Sequence, residues 1–247
     1  MCGRPALIRT LAAAPALLAL ALVSGCASLD GSEPAAAPSP FAAGAQAVYE
    51  VRNAYNGERI GKATLRFGAS GALLDGIDYA EPTAVGFGTT PAAVSAREFN
   101  SAGELVRQRR SDGSTTTFDP PLRVLPFPLQ PGTRFRQTVT ASAAGQPPRR
   151  VRLYGRVAGW ETVRVGAGEF RALRVERDVY LGDQAFNRTE TARREIDWFA
   201  PQLGLIVRAS EDSQFDDIAF GSGDEGGQPP PRRGDWQLRE LQTRPQK

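Results

Sequence analysis

From Ala47 onward, apolar and polar residues alternate with a period of two, the pattern of strands buried on one side. Tyr49, Val51 and Tyr55 alternate with Glu50, Arg52 and Ala54, and Asn56-Gly57 then supplies a two-residue hairpin signal. On the return run, Ile60 to Phe67, one face carries Ala63, Leu65 and Phe67 and the other Lys62, Thr64 and Arg66. Ala102-Gly103, between Phe99 and Leu105, and Asp112-Gly113, before Thr115 to Phe118, mark further hairpin turns. Five prolines between Asp119 and Gly132 exclude a central strand. That stretch reads instead as an extended crossover along the sheet edge, burying Leu122, Leu125, Phe127 and Leu129.

The second half repeats the texture. Phe135, Gln137 and Val139 oppose Arg134, Arg136 and Thr138, while Val151 and Leu153 oppose Arg150, Arg152 and Arg156. Arg171 to Leu181 is a long strand with Leu173, Val175, Val179 and Leu181 facing in. Arg188 to Phe199 and Leu205 to Ala209 follow, separated by the turn Ala200-Pro201-Gln202-Leu203-Gly204. No window carries a 3.6-residue apolar stripe over three turns. The pattern therefore predicts an all-β, mainly antiparallel protein: an open curved sheet or half-barrel of about ten strands. Alternation alone does not say whether such a sheet closes into a barrel.

Both flanks differ from this body. Residues 1–25 read as a signal peptide, with Arg4 and Arg9 ahead of an apolar run from Leu11 to Val23. At 1.5 Å per residue that run reaches roughly 20 Å, short of the roughly 30 Å hydrocarbon core. Residues 26–46 are rich in Ala, Pro, Ser and Gly and read as a disordered tether. Residues 47–218 form the β domain. Residues 219–247 are a low-complexity linker and a C-terminal segment carrying Trp236, Leu238 and Leu241.

Composition narrows the chemistry. Histidine is absent, and the two cysteines are Cys2 and Cys26. A Ser-His-Asp triad, a Cys-His pair and a histidine-ligated metal are excluded, so neither a cofactor nor a metal is expected. The net charge is +3, of which Arg4 and Arg9 supply two, so the rest carries +1. That is no excess with which to neutralise nucleic-acid phosphates.

Val23-Ser24-Gly25-Cys26 resembles a bacterial lipobox. The resemblance implies diacylation of Cys26 as the mature N-terminus, and membrane attachment through that lipid. Ala27, in place of aspartate, resembles the sorting signal for the outer membrane, periplasmic face. Three further stretches resemble bacterial periplasmic and lipoprotein β domains of unknown function. These are Leu125 to Gly132 (LPFPLQPG), Trp160 to Val175 (WETVRVGAGEFRALRV) and Trp198 to Ile206 (WFAPQLGLI). The resemblance spans roughly Ala47 to Ser210 and implies a curved sheet distantly like the LolA/LolB carriers.

Among the remaining candidates, Arg177 falls by alternation on the apolar face with Val175 and Val179, and needs a carboxylate or a ligand headgroup there. Trp160 and Trp198 read as sheet-packing aromatics or as the wall of an apolar ligand site. Glu176 with Asp178 and Glu195 with Asp197 are paired carboxylates that adjacent strands could bring to glycosidase-like separation. Arg150, Arg152 and Arg156, with Arg134 and Arg136 beside them, form a basic strand face. Glu211, Asp212, Asp216, Asp217, Asp224 and Glu225 form an acidic run without EF-hand spacing. Gly86-Phe87-Gly88 reads as a turn, and Asn187-Arg188-Thr189 fits the N-glycosylation pattern, which the bacterial source implied by the lipobox resemblance leaves without a message. The expected function is non-catalytic: an envelope module binding a lipid, glycan or protein on its curved sheet. Two alternatives are a scaffold acting through a sheet edge and a carboxylate hydrolase.

Overall fold

The computed structural model describes residues 45–67, 73–78, 93–100, 102–110, 113–218 and 232–243. Twelve strands form there: β1 (Gln46–Asn53), β2 (Arg59–Phe67), β3 (Leu73–Asp78), β4 (Ala93–Phe99), β5 (Leu105–Arg109), β6 (Thr115–Leu122), β7 (Arg134–Ala143), β8 (Arg149–Val165), β9 (Gly168–Tyr180), β10 (Ala192–Ala200), β11 (Leu205–Asp216) and β12 (Arg232–Thr243). Every pairing is antiparallel, and no α-helix occurs among the described residues. The architecture is thus the all-β, antiparallel, curved sheet that the alternation implies. Successive strands are neighbours, and β12 lies between β11 and β1, so the order closes on itself. Cys2, Cys26 and the rest of residues 1–44 lie outside the described residues, as do Gly86-Phe87-Gly88, Asp112, Asp224 and Glu225, while Gln46, expected at the end of the tether, already belongs to β1.

The first hairpin differs in detail from expectation. β1 ends at Asn53, whose side-chain carbonyl accepts from the backbone N–H of Tyr55 at 2.8 Å and of Asn56 at 3.4 Å. This Asx turn takes the backbone out of the ladder early, so the loop is longer than two residues. Tyr55 sits in that loop at 83% exposure, instead of facing in beside Tyr49 and Val51. Gly57 supplies the positive φ of +74° that the loop requires.

The proline-rich stretch differs too. Its first two prolines, Pro120 and Pro121, lie inside β6. They are tolerated because β6–β7 pairing stops at Asp119↔Thr140, while the β5–β6 register slips between Leu105 and Arg107. The missing N–H groups therefore remove no ladder bond to β7. Beyond Leu122 the chain is not a crossover along a sheet edge, because β6 and β7 are hydrogen-bonded neighbours in an order that closes on itself. It is the β6–β7 connection folded over the core, with Leu122 and Leu129 buried as expected and Leu125 and Phe127 half-buried. Gln137 of β7 clamps it: the Arg123 N–H donates to its Oε1 at 2.8 Å, and its Nε2 donates to the Pro121 carbonyl at 2.8 Å. That explains a glutamine at an inward position between Phe135 and Val139.

Three clusters share the core. Leu129, Val157, Leu173, Val175 and Phe199 form one, with Leu125, Phe127, Phe135 and Trp160 against it. A second holds Leu105, Leu122, Val139, Ala141, Val151, Leu153 and Val179. The third joins Val163, Phe170, Ala172, Ala200, Leu205 and Val207 to Ala47, Tyr49, Val51, Ala63 and Leu241. Phe170 and Ala172 alternate with Leu173 and Val175, yet all four are buried, so this part of β9 is covered on both faces.

Candidate functional site

Arg177 is the most deeply buried arginine on the apolar face, with its side chain 3% exposed. Register sets its partners. Glu195 of β10 lies directly across from it, and Asp197 falls two residues further along the same face. The guanidinium donates through Nε to Glu195 at 2.8 Å, through Nη2 to Asp197 at 2.6 Å, and through Nη1 to the Val124 carbonyl of the β6–β7 connection at 2.9 Å. Arg193 stands on the same face of β10, 2.7 Å from Glu195 and 3.6 Å from Glu211 of β11. Burial works against the charge on Arg177, but Asp197 and Glu195 outweigh it and raise the pKa.

This geometry replaces the expectation of facing carboxylate pairs. Glu176 and Asp178 point to the opposite face of β9 from Arg177, so the four acids do not converge. Glu176 pairs with Arg156 at 2.9 Å and Arg174 at 2.8 Å, and its pKa is lowered, chiefly by the Arg156 hydrogen bond. For Glu195, burial alone would raise the pKa, but Arg193 and Arg177 bring it down to about 2. A carboxyl so held is ionised at neutral pH and has no proton to donate.

The Glu195 shift fixes a pH dependence. The folded pKa, about 2, lies below the unfolded value of 4.5, so the stabilisation is complete above 4.5 and disappears as pH falls through 2. Urea unfolding free energy should fall by a few kcal/mol across that window. Glu195→Gln should flatten the slope there, and parallel curves for the two proteins would refute the assignment.

Trp160 and Trp198 are placed apart from Arg177. Trp160 packs against the Leu129 cluster, with the Arg171 guanidinium 4.7 Å from its ring centre. Trp198 packs against the third cluster, and its indole N–H donates to Glu161 at 2.7 Å. Arg174 and Arg208 sit 5.8 Å and 5.7 Å from its ring. Both side chains are held by packing and cations.

The reverse face of the sheet carries a groove that sequence reasoning missed. Arg134, Tyr154, Gly155, Arg156, Glu176, Asp178 and Arg194 line a shallow, open depression of about 200 Å³. Tyr154 is 48% exposed and meets Tyr180 edge-on at 6.2 Å, with Arg152 5.1 Å from the Tyr180 ring. Gly155 keeps the wall thin: a Cβ there would lie 2.3 Å from the Phe135 ring on the other side. The clue was an aromatic at a polar-face position next to a glycine that interrupts the run Val151, Leu153, Val157.

The basic face is partly neutralised: Arg152 pairs with Glu190, and Arg156 with Glu176. Asn187-Arg188-Thr189 lies in the β9–β10 connection, where Arg188 pairs with Asp183 at 3.0 Å. Among the described residues no group of three acids, histidines or cysteines is arranged to hold a metal.

No family model matches the chain. No curated protein matches it either. Among solved structures, it is similar to a Parabacteroides distasonis protein described as a lipoprotein, at 10% identity over 83% of this chain and 96% of that one, with a TM-score of 0.38. It is also similar to an exported protein of Bacteroides fragilis with a YmcC-like fold, at 14% identity over 84% and 98% of the two chains, with a TM-score of 0.35.

Proposed function

We propose that the protein is a non-catalytic lipoprotein of the bacterial envelope, held at the periplasmic face of the outer membrane by lipid on Cys26, and that it binds a glycan in the groove between β7 and β10. The supporting observation is the exposed Tyr154 ring set among Arg134, Arg156, Glu176, Asp178 and Arg194. A flat aromatic flanked by hydrogen-bonding groups suits a sugar ring, which offers C–H bonds on its faces and hydroxyls on its rim. A lipid chain is less well served, because the apolar face is filled by Leu122 of β6 and Leu129 of the β6–β7 connection. A scaffold acting through a strand edge is also less well served, because β12 pairs with β1.

Calorimetric titration of the full-length protein in detergent with cello-, chito- and galacturonate oligomers tests this reading. At least one should bind, and Tyr154→Ala should weaken it about tenfold, the scale of one stacking contact. Absence of binding by all three, or full affinity in Tyr154→Ala, would overturn it.

A further inference from the structure

The groove lies along a continuous cross-strand row. Arg136 of β7, Tyr154 of β8, Asp178 of β9, Arg194 of β10 and Asp212 of β11 are successive register partners on one face. At 4.7–4.9 Å between strands, five such positions span about 19 Å across the sheet. One step is close to the length of one pyranose unit, so a chain lying across the strands would meet a different side chain at each sugar. The parallel row beside it reads Arg134, Arg156, Glu176.

The charges in these rows are unequally satisfied. Glu176 is neutralised by Arg156 and Arg174. Arg134, Arg136 and Arg194 are exposed, and among the described residues none of the three lies within ion-pair or hydrogen-bond distance of a partner, although the charge of Arg194 helps to lower the Glu176 pKa through space. The arginines of the neighbouring positions 152, 156, 174, 177, 188 and 193 are all paired with carboxylates. The guanidinium forks of Arg134, Arg136 and Arg194 against the carboxylates of Asp178 and Asp212, the latter with an oxygen that has no hydrogen-bond partner, leave the two rows net positive by one charge. Such forks match carboxylates bidentately.

Resting on the glycan reading above, we infer that the groove selects an acidic glycan, whose uronic-acid carboxylates are taken by Arg134 and Arg194 while Tyr154 stacks on a ring between them. The bulk of the chain lies across β7 to β11, and the interaction weakens with salt because all of these groups face water.

The decisive comparison is oligogalacturonate against its methyl ester, which keeps the sugar backbone and removes the charge. The full-length protein should bind the acid at least tenfold more tightly at low salt. The double variant Arg134→Gln/Arg194→Gln should lose that preference, binding acid and ester with similar affinity. Equal affinity for acid and ester overturns the selectivity and leaves glycan binding standing. A preference that persists in the double variant overturns the assignment to these two arginines. Failure of both ligands to bind overturns this inference, and the glycan reading falls with it only when cello- and chito-oligomers also fail to bind.

Discussion

Replacing Arg177 by alanine should cost about 3–5 kcal/mol of folding free energy, enough to unfold much of the population near body temperature. The size follows from what is left behind. Glu195 and Asp197 would remain buried on one face with their charges uncompensated, and the Val124 carbonyl would lose its donor. Arg193 touches Glu195 but does not reach Asp197. The triple variant Arg177→Met, Glu195→Met, Asp197→Leu should recover most of the loss, since a well-packed apolar set of similar volume often equals a buried ion cluster. Urea unfolding followed by tryptophan fluorescence measures both. A loss under 1 kcal/mol in the single variant, or a triple variant as damaged as the single, would show that the cluster does not behave as a buried ionic unit.

How much of this was legible in the sequence depends on whether a feature is local. The alternation of β7, β8 and β9 is local, and Val139, Val151, Leu153, Val175 and Val179 are buried as it predicts, with Phe135 half-buried. Arg177 was also legible, because its parity alone places a charge on an apolar face. Its partners were not. Glu195 meets Arg177 only in one register of β9 against β10, and a slip of one residue would send the carboxylate to the other face. The position of Tyr55 has a local cause in Asn53, whose Asx turn ends the strand before the Asn56-Gly57 pair can form a two-residue hairpin. Pro120 and Pro121 looked incompatible with a strand because their effect depends on whether β7 is still paired at that point, which is set by the register of another chain segment. The groove escaped notice for a similar reason. Tyr154, Asp178 and Arg194 are unremarkable singly and become a row only when three ladders align them.

The β6–β7 connection is the second place where one side chain should carry a large effect. Leu129 is fully buried between Val157, Leu173, Val175 and Phe199, although it sits in a proline-rich connection and not in a strand. Leu129→Ala should destabilise by about 2–5 kcal/mol, toward the upper end if the rigid prolines on either side prevent the loop from collapsing into the void. Leu125→Ala, in the same segment but half-buried, should cost clearly less. The two buried features are also joined, because Val124 offers its carbonyl to Arg177 a few residues before Leu129 enters the core. Loosening the segment at Leu129 should therefore weaken the Arg177 contact as well. A double-mutant cycle between Leu129→Ala and Arg177→Met should show a coupling of about 0.5–3 kcal/mol, with the pair costing less than the sum. Strict additivity would mean that the segment folds against the sheet in two independent parts, and that the arginine is held by β10 alone.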